Sequence, residues 1–294
     1  MNFQLTTSLS KNKHGYPHNI WKHKVLIKHC SPSFSLTISG DAISASHSSF
    51  YINEMNILLD AGIDTKRRPT HIFITHTHTD HIGKLPMLIR DYPIKVYVPK
   101  DYIKQVLDYI SSYKKISKDL SLSTFKNVEV IGVEPGDLLE LKLKKQDYEV
   151  RVFRTYHSVK SVGYAFSKKV QKKKYKENNN VLEKIIETTY QHQLVYTGDT
   201  SSLTGFDFAK YFIVITECTF IQALSPKLNM PKISEIKTHN YLEKIENEIS
   251  TFNQTLVILC HFSKRYLLEE LEEFFSEYHK KNSQVVAWIN KSFI

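Results

Sequence analysis

The chain has 294 residues, 41% of them hydrophobic, and its 40 Lys and Arg against 30 Asp and Glu give a formal net charge of +10. A chain of this size and apolar content can bury a sizeable core, and its positive balance favours a polyanionic partner such as nucleic acid over an acidic one. The opening stretch MNFQLTTSLSKNKHGYPHNIW lacks the basic-then-apolar pattern of a signal peptide, and no apolar run reaches the ~18 residues of a membrane span, which points to a cytoplasmic or nuclear protein with no membrane partner.

In chain order, strand-like runs rich in Val, Ile, Phe and Tyr are expected at 34–38, 49–60 and 71–74. A helix is expected over 101–116, where Ile103, Val106, Leu107, Ile110 and Tyr113 recur at three-and-four spacing behind Asp101 as its cap. Further strands are expected at 148–154, 193–196, 211–215, 255–260 and 285–289. Between them, SKKVQKKKYKENNN (Ser167 to Asn180) reads as a polar insertion, a solvated or mobile loop. A second helix over 234–249 would be capped by Ser234 and carry Ile236, Leu242, Ile245 and Ile249 on one face. The third, over 266–281, places Leu267, Leu271, Phe274, Phe275 and Tyr278 on one side and lysines at its carboxyl end, as the helix dipole prefers. No repeat of 20 to 50 residues is visible, and residues 1–294 read as one domain with a basic insertion at about 165–192. Cys30, Cys218 and Cys260 are odd in number and far apart, so buried free thiols in a reducing compartment are expected.

Chemistry concentrates behind the apolar triplet Ile72, Phe73, Ile74, where THTHTDHIG packs three histidines and an aspartate into six positions. His157, Asp199, Glu217 and His261 each follow the carboxyl end of another expected strand, and strand ends of an open sheet converge on one crevice. In an extended segment His76 and His78 point the same way and can grip one metal together, whereas Asp80 and His81, at the turn into a helix, aim at a second position. With His157 completing the first set, His261 the second and Asp199 bridging, each ion has three or four nitrogen and oxygen ligands and a place left for water. A two-zinc hydrolytic centre is expected.

HTHTDHIG also matches the HxHxDH signature of the metallo-β-lactamase superfamily. The segments YHSVKSVGYAF, YTGDTS, ECTF and CHFSKRY look like the motifs of ribonuclease Z, the tRNA 3′-processing endonuclease, in the right order. From about Phe34 to its end the chain therefore resembles ribonuclease Z in its short, plant-like form. The resemblance implies an α/β fold, a four-layered αββα sandwich with a dinuclear site at one edge, working as a homodimer on precursor tRNA. It implies two zinc ions, with Mn2+ or another divalent ion as substitutes. The ligands it carries over are His76, His78 and His157 for the first ion, Asp80, His81 and His261 for the second, and Asp199 as the bridge. Asp80 would also orient the attacking water, and Glu217 would help protonate the leaving oxygen.

Several positions depart from that pattern. Thr216 precedes Glu217 where bacterial members carry a histidine, and Met230 in NMPKISEI stands where a second histidine belongs, just before a helix. Glu217 is therefore expected to act without its usual partner; His239, nine residues on from Met230, could stand in but is read instead as a solvent-facing helical residue. GDAISASHSSF occupies the place of the family's PxKxRN motif. The family's RNA-gripping arm corresponds to the interval that holds Lys168, Lys169, Lys172, Lys173, Lys174 and Lys176, expected to bind substrate through charge. Arg265 and Tyr266 are expected to touch a phosphate or stack on a base, with Tyr164 and Ser263 in supporting or packing roles. Two other functions fit the residues less well. One is a small-molecule hydrolase of the same fold, acting on a thioester, lactone or cyclic phosphodiester; the other is an RNA-binding homologue with weak turnover.

Overall fold

The computed structural model describes residues 3–9, 21–27, 34–118, 127–178, 181–227, 237–289 and 292–293. The amino-terminal part builds one sheet from β1 (Phe3–Leu9), β2 (Trp21–Ile27), β3 (Phe34–Ser44), β4 (His47–Ile52), β5 (Ile57–Leu59), β6 (His71–Phe73), β7 (Ile94–Pro99) and β8 (Val128–Val133), which lie side by side in sequence order. Two short helices, α1 (Thr79–Ile82) and α2 (Leu85–Leu88), follow β6, and a 3₁₀ turn at Lys100–Tyr102 leads into α3 (Ile103–Lys118). The second sheet is built from β9 (Leu138–Leu143), β10 (Gln146–Arg154), β11 (Val162–Asn178), β12 (Val181–Tyr196), β13 (Ile213–Glu217) and β14 (Leu256–Cys260), and α4 (Leu242–Ser250) connects the last two. After β14 come β15 (Phe262–Ser263), which pairs with β3 of the first sheet, then α5 (Leu268–Lys281), β16 (Val285–Ile289) and β17 (Ser292–Phe293) on the second.

Three apolar layers hold these elements together. Leu36, Ile38, Phe50, Phe73 and Tyr97 of the first sheet meet Val150, Tyr164, Phe166, Ile215, Ile258 and Trp288 of the second in the central layer. Alternation along β14 divides its residues: Leu256, Ile258 and Cys260 face the other sheet, whereas Val257 and Leu259 face α4 and α5. That double burial explains why LVILC is an unbroken apolar run. On the outer side of the first sheet, Leu58, Ile72, Ile74 and Val96 pack under Leu85, Leu88, Val106 and Ile110 of the helices. The result is the four-layered αββα sandwich.

Several elements differ from the sequence expectation. The run at 49–60 splits into β4 and β5 because 53–56 turns, with Asn56 at φ 54° and the Glu54 carboxylate accepting hydrogen bonds from Thr37 N at 2.7 Å and Thr37 Oγ1 at 2.9 Å. The lysine-rich insertion is no loop: β11 and β12 form a long antiparallel hairpin in which Lys172 lies opposite Glu187 and Lys169 opposite Tyr190. Cross-strand pairing of unlike charge and a backbone ladder that runs from Ser167 to Asn178, past a bulge at Phe166/Ser167, order a sequence whose composition alone reads as coil. α4 starts at Leu242, eight residues after the expected cap, and Met230, Ser234 and Ile236 lie outside the described residues. Leu267, expected on the buried side of its helix, is 63% exposed at the N-cap of α5. Cys218 and Cys260 are buried free thiols, and Cys30 lies outside the described residues.

Candidate metal centre

β12, β13 and β14 run parallel, so their carboxyl ends open on one edge of the sandwich. Asp199 follows β12, Glu217 ends β13 and His261 follows β14; His157 comes three residues after β10. From the facing sheet, His76 and His78 follow β6 in extended backbone, and α1 delivers Asp80 and His81. These eight ligand-type residues meet. His78 Nδ1 lies 3.2 Å from His76 Nε2 and 3.0 Å from His157 Nε2. Across the cleft, His261 Nε2 lies 3.4 Å from Asp80 Oδ2, and His81 Nε2 is 3.7 Å from the same oxygen. Asp199 sits between the sets: Oδ1 is 3.2 Å from His81 Nε2 and 3.5 Å from His261 Nε2, while Oδ2 is 3.9 Å from both His76 and His157 Nε2.

The far side of most rings is fixed by an oxygen. His157 Nδ1 donates to the Thr238 carbonyl at 2.7 Å, His81 Nδ1 to Asp60 Oδ2 at 2.7 Å, His76 Nδ1 to Thr75 Oγ1 at 3.1 Å and His261 Nδ1 to Thr219 Oγ1 at 3.1 Å. Each such bond selects the tautomer that leaves Nε2 as a lone-pair donor toward the cleft. Burial, followed by the neighbouring imidazoles, pushes His76 well below the ordinary histidine range, and burial lowers His157 as well, so both rings are neutral as ligation requires. Burial opposes ionisation of Asp199, but the His261 and His81 rings outweigh it and hold the carboxyl well below its usual value. Backbone geometry is specialised here too: His261 and Asp60 adopt left-handed φ values of 62° and 55°. Gly198, at φ 60°, could not carry a side chain, since a Cβ would fall 2.4 Å from Thr75 Oγ1.

These donors fit divalent metal. His81 Nε2 and Asp199 Oδ1 are fully buried and 3.2 Å apart, yet neither has a hydrogen-bond partner. Tetrahedral bonds of 2.0 to 2.1 Å place two ligand atoms of one ion about 3.3 Å apart, which is the spacing found within each set. Groups that can each hold one ion form from His76, His78 and His157, from Asp80, His81 and His261, and from His76, His81 and Asp199. A family model described as beta-lactamase superfamily domain matches residues 55–262, spanning the cluster from its first histidine to its last. The chain belongs to the beta-lactamase superfamily. Within this superfamily it is 27% identical over 282 residues to the chloroplastic tRNase Z TRZ2 of Arabidopsis thaliana, covering 88% of this chain and 76% of that protein. To tRNase Z TRZ1 of the same plant it is 27% identical over 255 residues, 80% of this chain and 88% of the relative. The Zn(2+)-bound structure of PqqB from Methylobacterium extorquens shares the fold with a TM-score of 0.54 at 11% identity, over 85% of this chain and 87% of that one. The superfamily fold implies divalent metal binding, and the His and Asp clusters are groups that could hold the metal.

Two expectations about neighbouring residues are corrected. His239 is not on a solvent-facing helix: it precedes α4, and its Nδ1 lies 3.1 and 3.2 Å from the two Glu217 carboxylate oxygens and 3.8 Å from Asp199 Oδ2. Glu217 therefore has a histidine partner, and the pair is further tied by Thr219 Oγ1, which donates to Glu217 Oε2 at 2.5 Å. Burial works against the charge on His239, but Glu217 and then Asp199 push it up to about 9. Tyr266, expected to stack on a base, is buried, and its hydroxyl accepts from Ile221 N at 2.7 Å; its ring belongs to the layer under α5. Arg265 is exposed beside the cleft. Lys168 and Lys169 are half-buried at the base of the hairpin, where Lys169 pairs with Glu140 at 2.6 Å, and Lys172 is exposed. Lys173, Lys174 and Lys176 lie on β11, but their side chains are outside the described residues. Tyr164 donates to the Ile74 carbonyl at 2.8 Å, and Ser263 N donates to Thr219 O at 3.0 Å, consistent with supporting roles.

Asp60 escaped the sequence reading. Fully buried, it accepts from Thr75 N at 2.8 Å, Tyr196 OH at 2.7 Å and His81 Nδ1 at 2.7 Å, joining both sheets beneath the cluster. An acidic residue directly after the apolar strand ILL was the available signal, the same one that marked Asp199. Asp60→Ala leaves four buried donors, the Thr75 hydroxyl among them, without that acceptor, at about 1 to 3 kcal/mol each. A loss of more than about 3 kcal/mol is expected in denaturant unfolding; an unchanged midpoint and slope would show that water replaces the carboxylate at no cost.

Proposed function

We propose that the chain is a zinc-dependent endoribonuclease that removes the 3′ trailer from tRNA precursors by phosphodiester hydrolysis. The observation that carries this reading is the conjunction of two donor sets sharing Asp199 with a Glu217–His239 pair alongside them, in a chain similar along most of its length to proteins named tRNase Z. His76, His78 and His157, and Asp80, His81 and His261 with Asp199 between, would hold two zinc ions, which would supply Lewis acidity that lowers the pKa of water and neutralises phosphoryl charge. Asp80, fixed by the Ala45 N–H at 3.1 Å on Oδ2, orients the attacking water and takes its proton. His239, pinned through Nδ1 on Glu217, delivers a proton to the departing ribose oxygen. Arg265 and the hairpin lysines hold the RNA backbone. Cleavage leaves a mature 3′-hydroxyl and a trailer with a 5′-phosphate.

The direct test is incubation of the purified, metal-loaded protein with a tRNA precursor carrying a 3′ trailer, with the cut mapped to the nucleotide. A single cut at the trailer boundary is expected. No cut on RNA, together with rapid turnover of a thioester or lactone, would replace this reading with that of a small-molecule hydrolase.

The hairpin separates gripping from cutting. Lys168, Lys172, Lys173 and Lys176 belong to a segment with no ligand-type residue, so they act on a polyanion through charge. Each neutralised phosphate adds roughly 0.7 to 0.9 to the steepness of the salt dependence of binding, so changing these four to Ala should flatten it by up to about 3 units. Hydrolysis of bis(p-nitrophenyl) phosphate, which meets the centre without reaching the hairpin, should stay near wild type. A wild-type salt slope would make the hairpin a solvated appendage.

A further inference from the structure

A second basic surface lies on the outer face of the first sheet, the face covered by α2, along the loop that leads from the metal centre to the start of β6. The loop 62–70 leaves the centre directly: Ala61 N donates to His81 O at 2.6 Å, and a Cβ on Gly62 would fall 1.8 Å from the Asp80 carbonyl oxygen. The loop then runs outward as Lys66, Arg67 and Arg68, all exposed, and Arg90 reaches it from the end of α2. Arg90 Nη2 donates to Thr65 O at 3.3 Å and lies 3.7 Å from Asp64 Oδ1, which ties the loop down. Arg67 Cζ stands 5.5 Å from the centroid of the Tyr51 ring, and Arg68 Cζ 5.5 Å from that of Tyr92.

Composition argues against an accidental surface. Of the 40 Lys and Arg, six are Arg, and three of those six meet here. A general bias toward lysine accounts for scattered lysines and gives no reason for arginines to gather on one loop and its neighbour. A guanidinium stacked on an aromatic ring loses little freedom on binding and still presents N–H donors in a fixed fork, the geometry that recognises phosphate through two parallel bonds. Asp64, Asp91 and Glu54 are acids near the three arginines, and with Lys66 the face keeps a positive balance.

We propose that Arg67, Arg68 and Arg90 form a clamp for the phosphodiester backbone of the RNA substrate, separate from the hairpin lysines and from the residues that cut. The clamp rests on the endoribonuclease reading and gives the substrate a second fixed point, toward the start of β6 and β7 and away from the scissile bond. An electrostatic path from loop 62–70 to the cleft is supplied by Lys84, exposed just beyond the metal motif, whose N–H donates to Ala61 O at 2.8 Å.

The test compares the wild type, a variant with Arg67→Gln, Arg68→Gln and Arg90→Gln, and one with the same three changed to Lys. Binding of a tRNA precursor is measured across salt concentrations, alongside kcat and KM on that precursor and on bis(p-nitrophenyl) phosphate. The Gln variant is expected to flatten the salt slope by up to about 2 to 3 units, one contact per arginine. Its KM for RNA should rise, with kcat and small-substrate turnover unchanged. The Lys variant should keep the slope but bind more weakly than wild type, because it keeps charge and loses the fork. A Gln variant that matches a cutting wild type in slope and KM overturns the clamp alone. A wild type that neither binds nor cuts the precursor overturns the endoribonuclease reading, and the clamp with it.

Discussion

Replacing Asp199 by alanine is expected to reduce metal content below one ion per chain and to lower RNA cleavage by more than about 10³-fold, the scale on which loss of an essential group acts. The expectation follows from position. Its two oxygens are the carboxylate atoms placed between the histidine sets, Oδ1 at 3.2 Å from His81 and 3.5 Å from His261, Oδ2 at 3.9 Å from His76 and His157. Without them, five imidazoles face one another across a buried cleft, and the carboxylates left, half-buried Asp80 and buried Glu217, lie at its edges and not between the histidine sets. Two cations placed there would repel with no anion between them. Asp199→Asn keeps the shape and loses the charge, so it should fall between alanine and wild type. Elemental analysis after dialysis, read beside a thermal melt, decides the matter. Two ions retained per folded alanine variant would mean that each histidine set binds independently, and the shared-ligand reading would be lost.

What could be read from the chain and what could not divides along physical lines. Ligands that follow apolar strands were legible, since a strand with both faces buried leaves a distinct pattern and its end is a fixed place in the fold. His157, Asp199, Glu217 and His261 all belong to this class, and the structure brings them together. His239 was legible as a stand-in partner for Glu217 but was set aside, because the helix was expected to start at Ser234; α4 starts at Leu242, so His239 falls in the approach to the helix, within hydrogen-bond distance of Glu217. Asp60 needed the third dimension, as its partners Thr75, His81 and Tyr196 are remote in sequence. The hairpin at Lys168–Lys176 looked like coil because strand signals rest on burying one face, and most of this ladder is held by backbone pairing instead. The strands β8 and β9 were missed for a related reason: they are only partly buried, and their short apolar runs are interrupted by charge.

Substituting Gln for His239 is expected to separate two kinds of leaving group. In RNA the departing atom is a ribose oxygen, which leaves as a strongly basic alkoxide unless a proton reaches it in the transition state. In bis(p-nitrophenyl) phosphate the departing phenolate is stable without one. His239 is placed to serve the first case: Glu217 holds its Nδ1 at 3.1 Å, Asn240 N and Thr200 N also donate to that carboxylate at 3.3 and 2.6 Å, and the ring remains partly exposed at the cleft. His239→Gln should therefore lower RNA cleavage by about 10² to 10⁴-fold, the range of general acid catalysis, while leaving the phenyl ester nearly untouched. Glu217→Gln should show the same selectivity with a smaller loss, since it acts through the histidine. Metal content is the control, because Glu217, His239 and His261 are themselves close enough to hold an ion. Equal losses on both substrates with one ion missing would make His239 a ligand and leave the proton to another group; equal losses with metal intact would mean that the pair orders the cleft and does not supply the proton.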